Sequence, residues 1–420
     1  MNQKLYTKSF YVIGLIYCFC EMTNYIKYRL KLAKYNKIPH DNTKINNTFY
    51  DKINSFMDKD VNVVSLLYYS FYKTDICNIY SNNIMDFLSQ GFFRKKLVQI
   101  TFNEYLRIYD IFMKINKKLL EKNIHINIGY NDKITNIYNM DNKLITIYHP
   151  LSLKLLTKIL KLMGHMSMIR NDFVYQSKKN INIYVYGKFR TTKKTIILLP
   201  GIGFGACVYK KFYNIIKKSS IISNYNIVTI EVKQISYSSS KITPLQDIFL
   251  EIIKELNALV IENEISGQDI TIISHSYGTL IHSVLLSTDY LEKSKHVFCE
   301  PVCFIPSCTK ITYFAFRETI SISPLIINLF RYLFFRHINI QILFKDVHPA
   351  NYLCDEVTLK KIDGLVILSG KDQFVESHEI NDYIKKYIPN FDIIYKDKFL
   401  HGQVLFDSDN IHKIIGFISK

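Results

Sequence analysis

The stretch that decides the fold is ITIISHSYGTLIHSVLL, at residues 270–286. An apolar, β-branched run at residues 270–273 leads into a corner of small residues, after which apolar residues recur at helical spacing. The pattern predicts a strand that ends beside Ser276 and a helix that begins directly after it. A serine at such a corner projects its hydroxyl above the sheet, so Ser276 is either a candidate nucleophile or only a turn residue.

The two positions that flank Ser276 at a distance of two residues must be small, because the turn brings backbone close to them. They are Ser274 and Gly278, and the segment therefore has the sequence S-H-S-Y-G where the usual motif is G-x-S-x-G. Ser274 is a mild departure from that motif, since a hydroxymethyl group is still small.

Short apolar runs alternate with helical patterns from about residue 180 onwards. This alternation predicts an α/β fold with a mostly parallel sheet and helices on both faces, and it places the active site at the carboxyl ends of the strands. The predicted strands are residues 181–187, 195–201, 225–232, 269–274, 296–304, 364–370 and 391–395.

A serine nucleophile needs a base, and His401 is the best candidate because it follows the last predicted strand and precedes Gly402. His275 adjoins the serine and should point elsewhere, and His282 lies in the following helix. His378 is the main rival of His401 as the base.

The base in turn needs a carboxylate that orients it. Asp372 follows the predicted strand and Gly turn in VILSGKDQFV, while Glu300 follows the preceding strand in FCEPVCF and is the alternative acid. The chain order Ser276, Asp372, His401 is that of one hydrolase fold and differs from both orders known in serine proteases.

Backbone donors for an oxyanion are predicted in LLPGIGFG, at residues 198–205, where Gly201 and Gly203 flank Ile202. The N–H groups of Ile202 and Tyr277 would point at one oxygen. The stretch lacks the glycine spacing of nucleotide-binding loops, which disfavours a phosphate-cradling role.

With these motifs in place, the chain resembles the α/β-hydrolase superfamily, and within it a group of membrane-associated serine hydrolases. The resemblance is clearest in LLPGIGFGACVY, SHSYGT, EPVCF, ILSGKDQFV and HGQVLF. It implies Ser276 as nucleophile, Asp372 as acid and His401 as base, with neither a metal nor an organic cofactor. Pro200 replaces the His that commonly precedes the oxyanion glycine, which a backbone donor tolerates.

Three regions are expected along the chain. Residues 1–40 contain FYVIGLIYCFC followed by basic residues, which is too short to span a bilayer and predicts a membrane-contacting segment or a helix docked on the protein itself. Residues 41–180 are expected to be mainly helical, and residues 181–420 form the α/β domain. An aromatic-rich insertion at residues 305–353 predicts a cap or lid over an apolar pocket, or a membrane-docking surface.

Composition bears on the binding partners and on the cellular compartment. The net charge is +18, but the lysines are spread along the chain without a recognition module, which disfavours nucleic-acid binding and still suits an anionic membrane surface. The eight cysteines form no CxxC pair, so free thiols and an intracellular, reducing compartment are expected.

Together these features predict a serine hydrolase that cleaves carboxylic esters through an acyl-enzyme, with lipid esters among the candidate substrates. Two other functions remain open at this stage. One is an acyltransferase of the same fold, and the other is a non-catalytic binding protein that uses a hydrolase fold.

Overall fold

One twisted sheet of eight strands organises the chain in the computed structural model. The structure describes residues 2–37, 47–139, 143–190, 193–238, 242–262, 269–286, 291, 293–304, 308–316, 325–346, 353–354 and 356–420. The strands are β1 (Phe173–Ser177), β2 (Ile181–Tyr186), β3 (Lys194–Leu199), β4 (Tyr225–Val232), β5 (Ile270–His275), β6 (Lys295–Cys299), β7 (Asp363–Ser369) and β8 (Phe391–Lys396). Their spatial order is β1-β2-β4-β3-β5-β6-β7-β8.

Strand β2 runs antiparallel to both of its neighbours, and all other neighbouring strands run parallel. β1 pairs with β2 and β2 with β4 in antiparallel register, whereas β4, β3, β5, β6, β7 and β8 run parallel. An antiparallel edge followed by a parallel sheet in this order is the α/β-hydrolase fold, the class that the sequence predicted. The carboxyl ends of β5, β6, β7 and β8 therefore meet at one edge.

Helices cover both faces of the sheet, as its apolar strands require. Alternate residues of β3 point to opposite cores: Ile197 and Leu199 pack in one, and Ile196 and Leu198 in the other. The helices are α1 (Asn2–Lys37), α2 (Asn47–Met57), α3 (Val63–Ser70), α4 (Ser81–Phe93), α5 (Phe102–Leu120), α6 (Leu151–Arg170), α7 (Lys210–Lys218), α8 (Leu245–Glu262), α9 (Gly278–Leu285), α10 (Cys308–Phe316), α11 (Leu325–Phe330), α12 (Ile338–Asp346), α13 (Glu356–Lys360), α14 (Ser377–Tyr387) and α15 (Ser408–Ser419).

The predicted strands agree with the observed ones to within two residues except at β6, whose carboxyl end was placed too far along the chain. β6 ends at Cys299 because Glu300 takes a left-handed conformation, with φ of +50°, and Pro301 then removes a backbone donor. Strand β1 was not predicted. Four of its five side chains are exposed at the edge of the sheet, so no apolar run marks it in the sequence.

The described elements before β1 are helices, and the described residues between α5 and α6 form turns and irregular structure. Helices α2–α5 contribute to the same core as one face of the sheet, through residues such as Phe56, Leu67 and Ile108. Within the described part of the chain, no helix combines the length and the apolar character needed to cross a bilayer. The division of the chain at residues 40 and 180 stays a prediction, as does a cap at residues 305–353, of which the described parts form α10, α11, α12 and a π-helical turn (Arg331–Phe335).

Free thiols occur throughout the described chain, as the cysteine spacing indicated. Cys299, Cys303 and Cys354 are buried, whereas Cys18, Cys20 and Cys77 are exposed. The Sγ atoms of Cys303 and Cys354 lie 3.6 Å apart without a covalent bond between them.

Candidate active site

Ser276 occupies the sharp corner between β5 and α9. Its φ is +51°, in the left-handed region that non-glycine residues adopt at a cost of about 1–2 kcal/mol. Gly278 makes the corner possible, because a Cβ at this position would lie 2.1 Å from the carbonyl oxygen of Leu199. The strained corner presents the serine hydroxyl above the carboxyl end of the strand, where the sequence placed it.

The departure at Ser274 has a structural reason. Its side chain is fully buried, and its hydroxyl donates to Nδ1 of His282, with an Oγ–Nδ1 distance of 2.7 Å. His282 Nε2 donates in turn to Nδ1 of His296 at 2.9 Å, and His296 Nε2 donates to the Leu291 carbonyl at 3.1 Å. Burial lowers the pKa of both imidazoles, that of His296 to about 4, so this chain beneath the corner is neutral.

Restoring the common glycine, as Ser274→Gly, is therefore expected to destabilise the protein. The substitution leaves Nδ1 of His282 without its buried donor and adds backbone freedom to a strand, for a loss of about 1–3 kcal/mol in the free energy of unfolding. Denaturant unfolding measures it, with Ser274→Ala as the variant that removes the same hydrogen bond without the added backbone freedom. Unchanged stability in both variants would show that the hydrogen bond between Ser274 and His282 contributes nothing to the free energy of unfolding.

A second hydrogen-bonded chain begins at the serine itself. Ser276 Oγ lies 2.9 Å from His401 Nε2, and His401 Nδ1 lies 2.7 Å from Asp372 Oδ2. The other carboxylate oxygen of Asp372 accepts the N–H groups of Phe374 and Val375 at 2.7 and 2.9 Å. The structure thus brings together the three residues predicted from three separate strand ends, and backbone donors hold the acid in one orientation.

Glu300, the alternative acid, is fully buried beside the same histidine. Its Oε2 lies 3.7 Å from His401 Nδ1, beyond hydrogen-bond distance. That oxygen accepts the Gly402 N–H at 2.6 Å, and Oε1 accepts the Ser369 hydroxyl. Asp372 is therefore the carboxylate that hydrogen-bonds the imidazole, and Glu300 fixes the backbone next to it.

Glu300 also connects to the Gly-rich turn through a relay of side chains. His275 Nε2 donates to Glu300 Oε2 at 2.9 Å, and Tyr209 donates its hydroxyl proton to His275 Nδ1 at 2.8 Å. The Tyr209 oxygen accepts the N–H of Gly201 at 3.0 Å. Both ring nitrogens of His275 are used in this relay, with Tyr209 and Glu300 as partners. Tyr209 was missed, because it lies in a short 3₁₀ turn (Gly205–Tyr209) and no sequence motif marks it.

The electrostatics of His401 follow from these contacts. Burial lowers its pKa, but the carboxylates of Asp372 and Glu300 raise it more, and the resulting pKa is about 9. Burial acts to raise the pKa of Glu300, and the opposing charges and hydrogen bonds of His401, His275 and Ser369 leave it below the usual range. Both acids therefore stabilise a positively charged imidazole.

The turn that carries the predicted oxyanion donor Ile202 passes close to the serine. Gly201 passes so close that a Cβ there would sit 3.0 Å from the Cβ of Ser276. Ile202 follows Gly201 in the chain. The N–H of Gly203 donates to the Ile235 carbonyl at 3.1 Å, which fixes the turn. Tyr277 immediately precedes α9, whose N-terminus favours negative charge.

Aromatic side chains cover the site. The ring of Phe374 meets that of His401 edge-on, with centroids 4.9 Å apart. Three rings from the insertion, those of Phe314, Phe330 and Phe335, lie 5.2–6.0 Å from Phe374. The described part of the insertion thus forms an apolar wall next to the imidazole.

Two further features concern the rival base, His378, and a group of side chains spaced like metal ligands. His378 lies on α14 with a side chain 79% exposed, and it faces Asp382 at 3.9 Å rather than Ser276. Within the described ranges, one group of side chains, His275, Glu300 and His401, lies close enough to hold a metal ion. Each ring nitrogen of that group already hydrogen-bonds within the relays described above.

Comparison with known proteins found no matching family model and no matching curated protein. Solved structures do match. A carboxylesterase structure from Nitrososphaera gargenis is 14% identical, with 59% of this chain and 97% of that chain covered and a TM-score of 0.39. An esterase from Pyrococcus furiosus is 15% identical over 60% of this chain and 94% of its own, with a TM-score of 0.42. A carboxylesterase from Bacillus subtilis is 12% identical over 63% and 98%, with a TM-score of 0.41.

Proposed function

We propose that the chain is a serine hydrolase that cleaves carboxylic esters. The observation that carries the proposal is the continuous hydrogen-bonded set of Ser276, His401 and Asp372, with the serine in a strained conformation at the end of a strand. A turn serine without a chemical role has no need of a buried imidazole at 2.9 Å or of a carboxylate behind it. The esterase activity named for two of the matched structures is consistent with it.

The reaction would proceed through an acyl-enzyme. His401 Nε2 takes the proton of Ser276 as Oγ attacks the acyl carbon, while Asp372 holds the Nδ1–H and stabilises the imidazolium. The N–H groups of Ile202 and Tyr277 hold the oxyanion. The alcohol leaves with the proton from His401, and water then cleaves the acyl-enzyme by the same route. In acylation the proton passes from Ser276 through His401 to the alcohol, and in deacylation water gives a proton to His401, which returns it to Ser276.

The substrate class follows from the wall beside the imidazole. Phe374 packs on the imidazole of His401, and an aromatic ring of the insertion packs on Phe374, so we infer that an acyl group would meet hydrocarbon here. Burying an acyl chain against such a surface contributes about 0.8 kcal/mol per methylene. We therefore favour esters with an apolar acyl group, such as lipid esters, over small polar ones.

The protein would work at a membrane surface inside the cell, because helix α6 is turned with its apolar side outwards. Its inner side carries polar or small residues, among them Thr157, Lys161 and His165, which contact the protein. Eight apolar side chains of α6 are exposed: Leu155, Leu156, Ile159, Leu160, Leu162, Met163, Met166 and Ile169. Helix α1 exposes Leu15, Ile16, Phe19, Met22, Ile26 and Leu30 as well. An apolar surface of this size is typical of membrane contact.

The test is covalent labelling of the folded protein by a fluorophosphonate, followed by mapping of the modified peptide. We expect one modified residue, Ser276, and no label on protein that has first been unfolded in denaturant. Label on other serines only, or none on folded protein even with a small methyl phosphonate, would overturn the proposal and favour a binding protein. Supplying a competing alcohol during turnover separates the hydrolase from an acyltransferase, since only the latter gives mainly the new ester.

The pH profile gives a second test of the assigned base. His401 must be neutral to accept a proton, so kcat/KM is expected to rise with pH and to level off above about 9. Glu300→Gln removes one of the two charges that raise this pKa, and the midpoint should move to lower pH. The control is Glu255→Gln, which removes a carboxylate of α8 that pairs with Lys178 and should leave the pH midpoint unchanged. A midpoint shared by all three proteins would contradict the role of Glu300.

A further inference from the structure

A cavity of about 680 Å³ lies away from Ser276, between α1, α6, the segment after β4 and the start of α12. Four lysines line it, two from α1 (Lys27 and Lys31) and two from α6 (Lys154 and Lys158). Among the described residues that form its walls there is no aspartate or glutamate. Its volume is in the range of pockets that hold small organic ligands, about 300–1,000 Å³.

Two of the cavity lysines hydrogen-bond amide oxygens of other residues in its walls. Lys31 Nζ donates to the amide oxygen of Asn339 at 2.8 Å, and Lys154 Nζ donates to that of Asn24 at 2.7 Å. Amide oxygens orient the two ammonium groups but carry no net charge. Burial and the charge of Lys154 lower the pKa of Lys31 to about 8, as expected where cations converge.

One carboxylate acts on this cluster from behind the wall. Glu21 raises the pKa of Lys154, although burial has the larger, opposite effect. The oxygens of Glu21 are used at the start of α6, where they accept the Tyr148 hydroxyl at 2.6 Å and the Leu151 N–H at 2.8 Å. Among the described residues, Glu21 is the one acid set against the four lysines, so this part of the chain gives the cavity a positive charge that suits an anionic ligand.

The cavity opens beside the apolar surface of α6. Leu155 lines it and is 57% exposed, and the exposed Leu156 and Ile159 follow on the same helix. On α1, Lys27 lines the cavity next to the exposed Ile26. A ligand with an anionic group and a hydrocarbon part would place the first among the lysines and the second along the exposed side chains.

We propose that this cavity binds the phosphate of an anionic phospholipid headgroup when the protein docks on a membrane. The inference rests on the membrane contact proposed above and not on ester hydrolysis. Lysine is a common phosphate ligand, acting as a point charge. A choline headgroup carries its own cation, which four lysines would repel, so the cavity selects headgroups without one.

The experiment compares binding of the full chain to phosphatidylcholine vesicles with and without phosphatidic acid. In Lys31→Gln/Lys154→Gln two cavity charges are lost, whereas Lys34→Gln/Arg170→Gln removes two charges from the same two helices outside the cavity. Because each of the two lysines would contribute about 1 kcal/mol near an anionic surface, we expect the cavity variant to bind acidic vesicles about 30-fold more weakly than wild type. The matched variant should keep most of the affinity.

The following results would support or overturn the binding of a lipid phosphate in this cavity. Equal weakening of the two double variants would overturn the proposal and assign the effect to general basic charge. Tight binding of glycerol 3-phosphate in solution, lost in the cavity variant, would overturn the lipid source in favour of a free phosphate. Should the first variant fold poorly, Lys27→Gln/Lys158→Gln replaces two exposed lysines of the same cavity and must show the same loss. Phe19→Ser tests membrane contact separately, because it should weaken binding to both kinds of vesicle.

Discussion

Replacing Ser276 by alanine is expected to lower kcat for an ester substrate by about 10⁵-fold or more, with little change in KM. Among the described residues, this hydroxyl is the proposed nucleophile, since Oγ lies 2.9 Å from His401 Nε2 at the strained corner. The backbone donors of Ile202 and Tyr277 remain, so a small residual rate above that in water should persist. Stopped-flow or long-time hydrolysis of an activated ester measures the loss.

The matched control is Ser283→Ala, which removes a serine hydroxyl two turns further along α9. Its hydroxyl donates to the Leu280 carbonyl within the same helix, away from the imidazole. We expect wild-type kinetics from this variant. An alanine at position 276 that retained a substantial fraction of the wild-type rate would show that the ester is cleaved elsewhere on the protein or without a serine nucleophile.

The second large effect is expected at Asp372. The variant Asp372→Asn keeps the size of the side chain but loses the charge, and its amide N–H would face the Nδ1–H of His401. The imidazole must then adopt the wrong tautomer for accepting the proton of Ser276, which costs about 10⁴-fold in kcat. The amide oxygen can still accept the N–H groups of Phe374 and Val375, so folding should be preserved.

Glu300→Gln separates the two buried acids. Glu300 does not hydrogen-bond His401, so its loss should shift the pH midpoint and lower kcat far less than the loss of Asp372. The ratio of the two effects, both measured at a pH above the His401 pKa, is the discriminating quantity. A larger loss at position 300 than at position 372 would reverse the assignment and make Glu300 the orienting acid.

Much of the site was predictable because each reacting residue follows a strand that the sequence makes visible. β5 and β7 are largely apolar and buried, and β8 is a half-buried strand with an apolar centre, so their ends are easy to locate, and Ser276, Asp372 and His401 follow them. Parallel strands bring those ends to one edge. The fold class followed from the same alternation.

The parts that could not be predicted depend on contacts between elements without a shared motif. Tyr209 joins Gly201 to His275 only because the turn after β3 folds back on β5. The lysine-lined cavity needs α1 and α6, which are more than a hundred residues apart, to meet. The outward apolar side of α6 was hidden for another reason: helical spacing predicts a helix but not which side faces water.

The orientation of α6 separates folding from attachment. Its exposed leucines stay in water in the folded protein as in the unfolded chain, so they add little to the folding free energy. Folding depends on the opposite side, where Lys161 Nζ donates to the Phe204 carbonyl at 2.8 Å in the Gly-rich turn, and the close approach of Gly164 to Cys207 excludes any Cβ. Under the proposed membrane contact, substitutions on the exposed side of this one helix would change attachment, and would make the protein more soluble, without disturbing the geometry around Ser276.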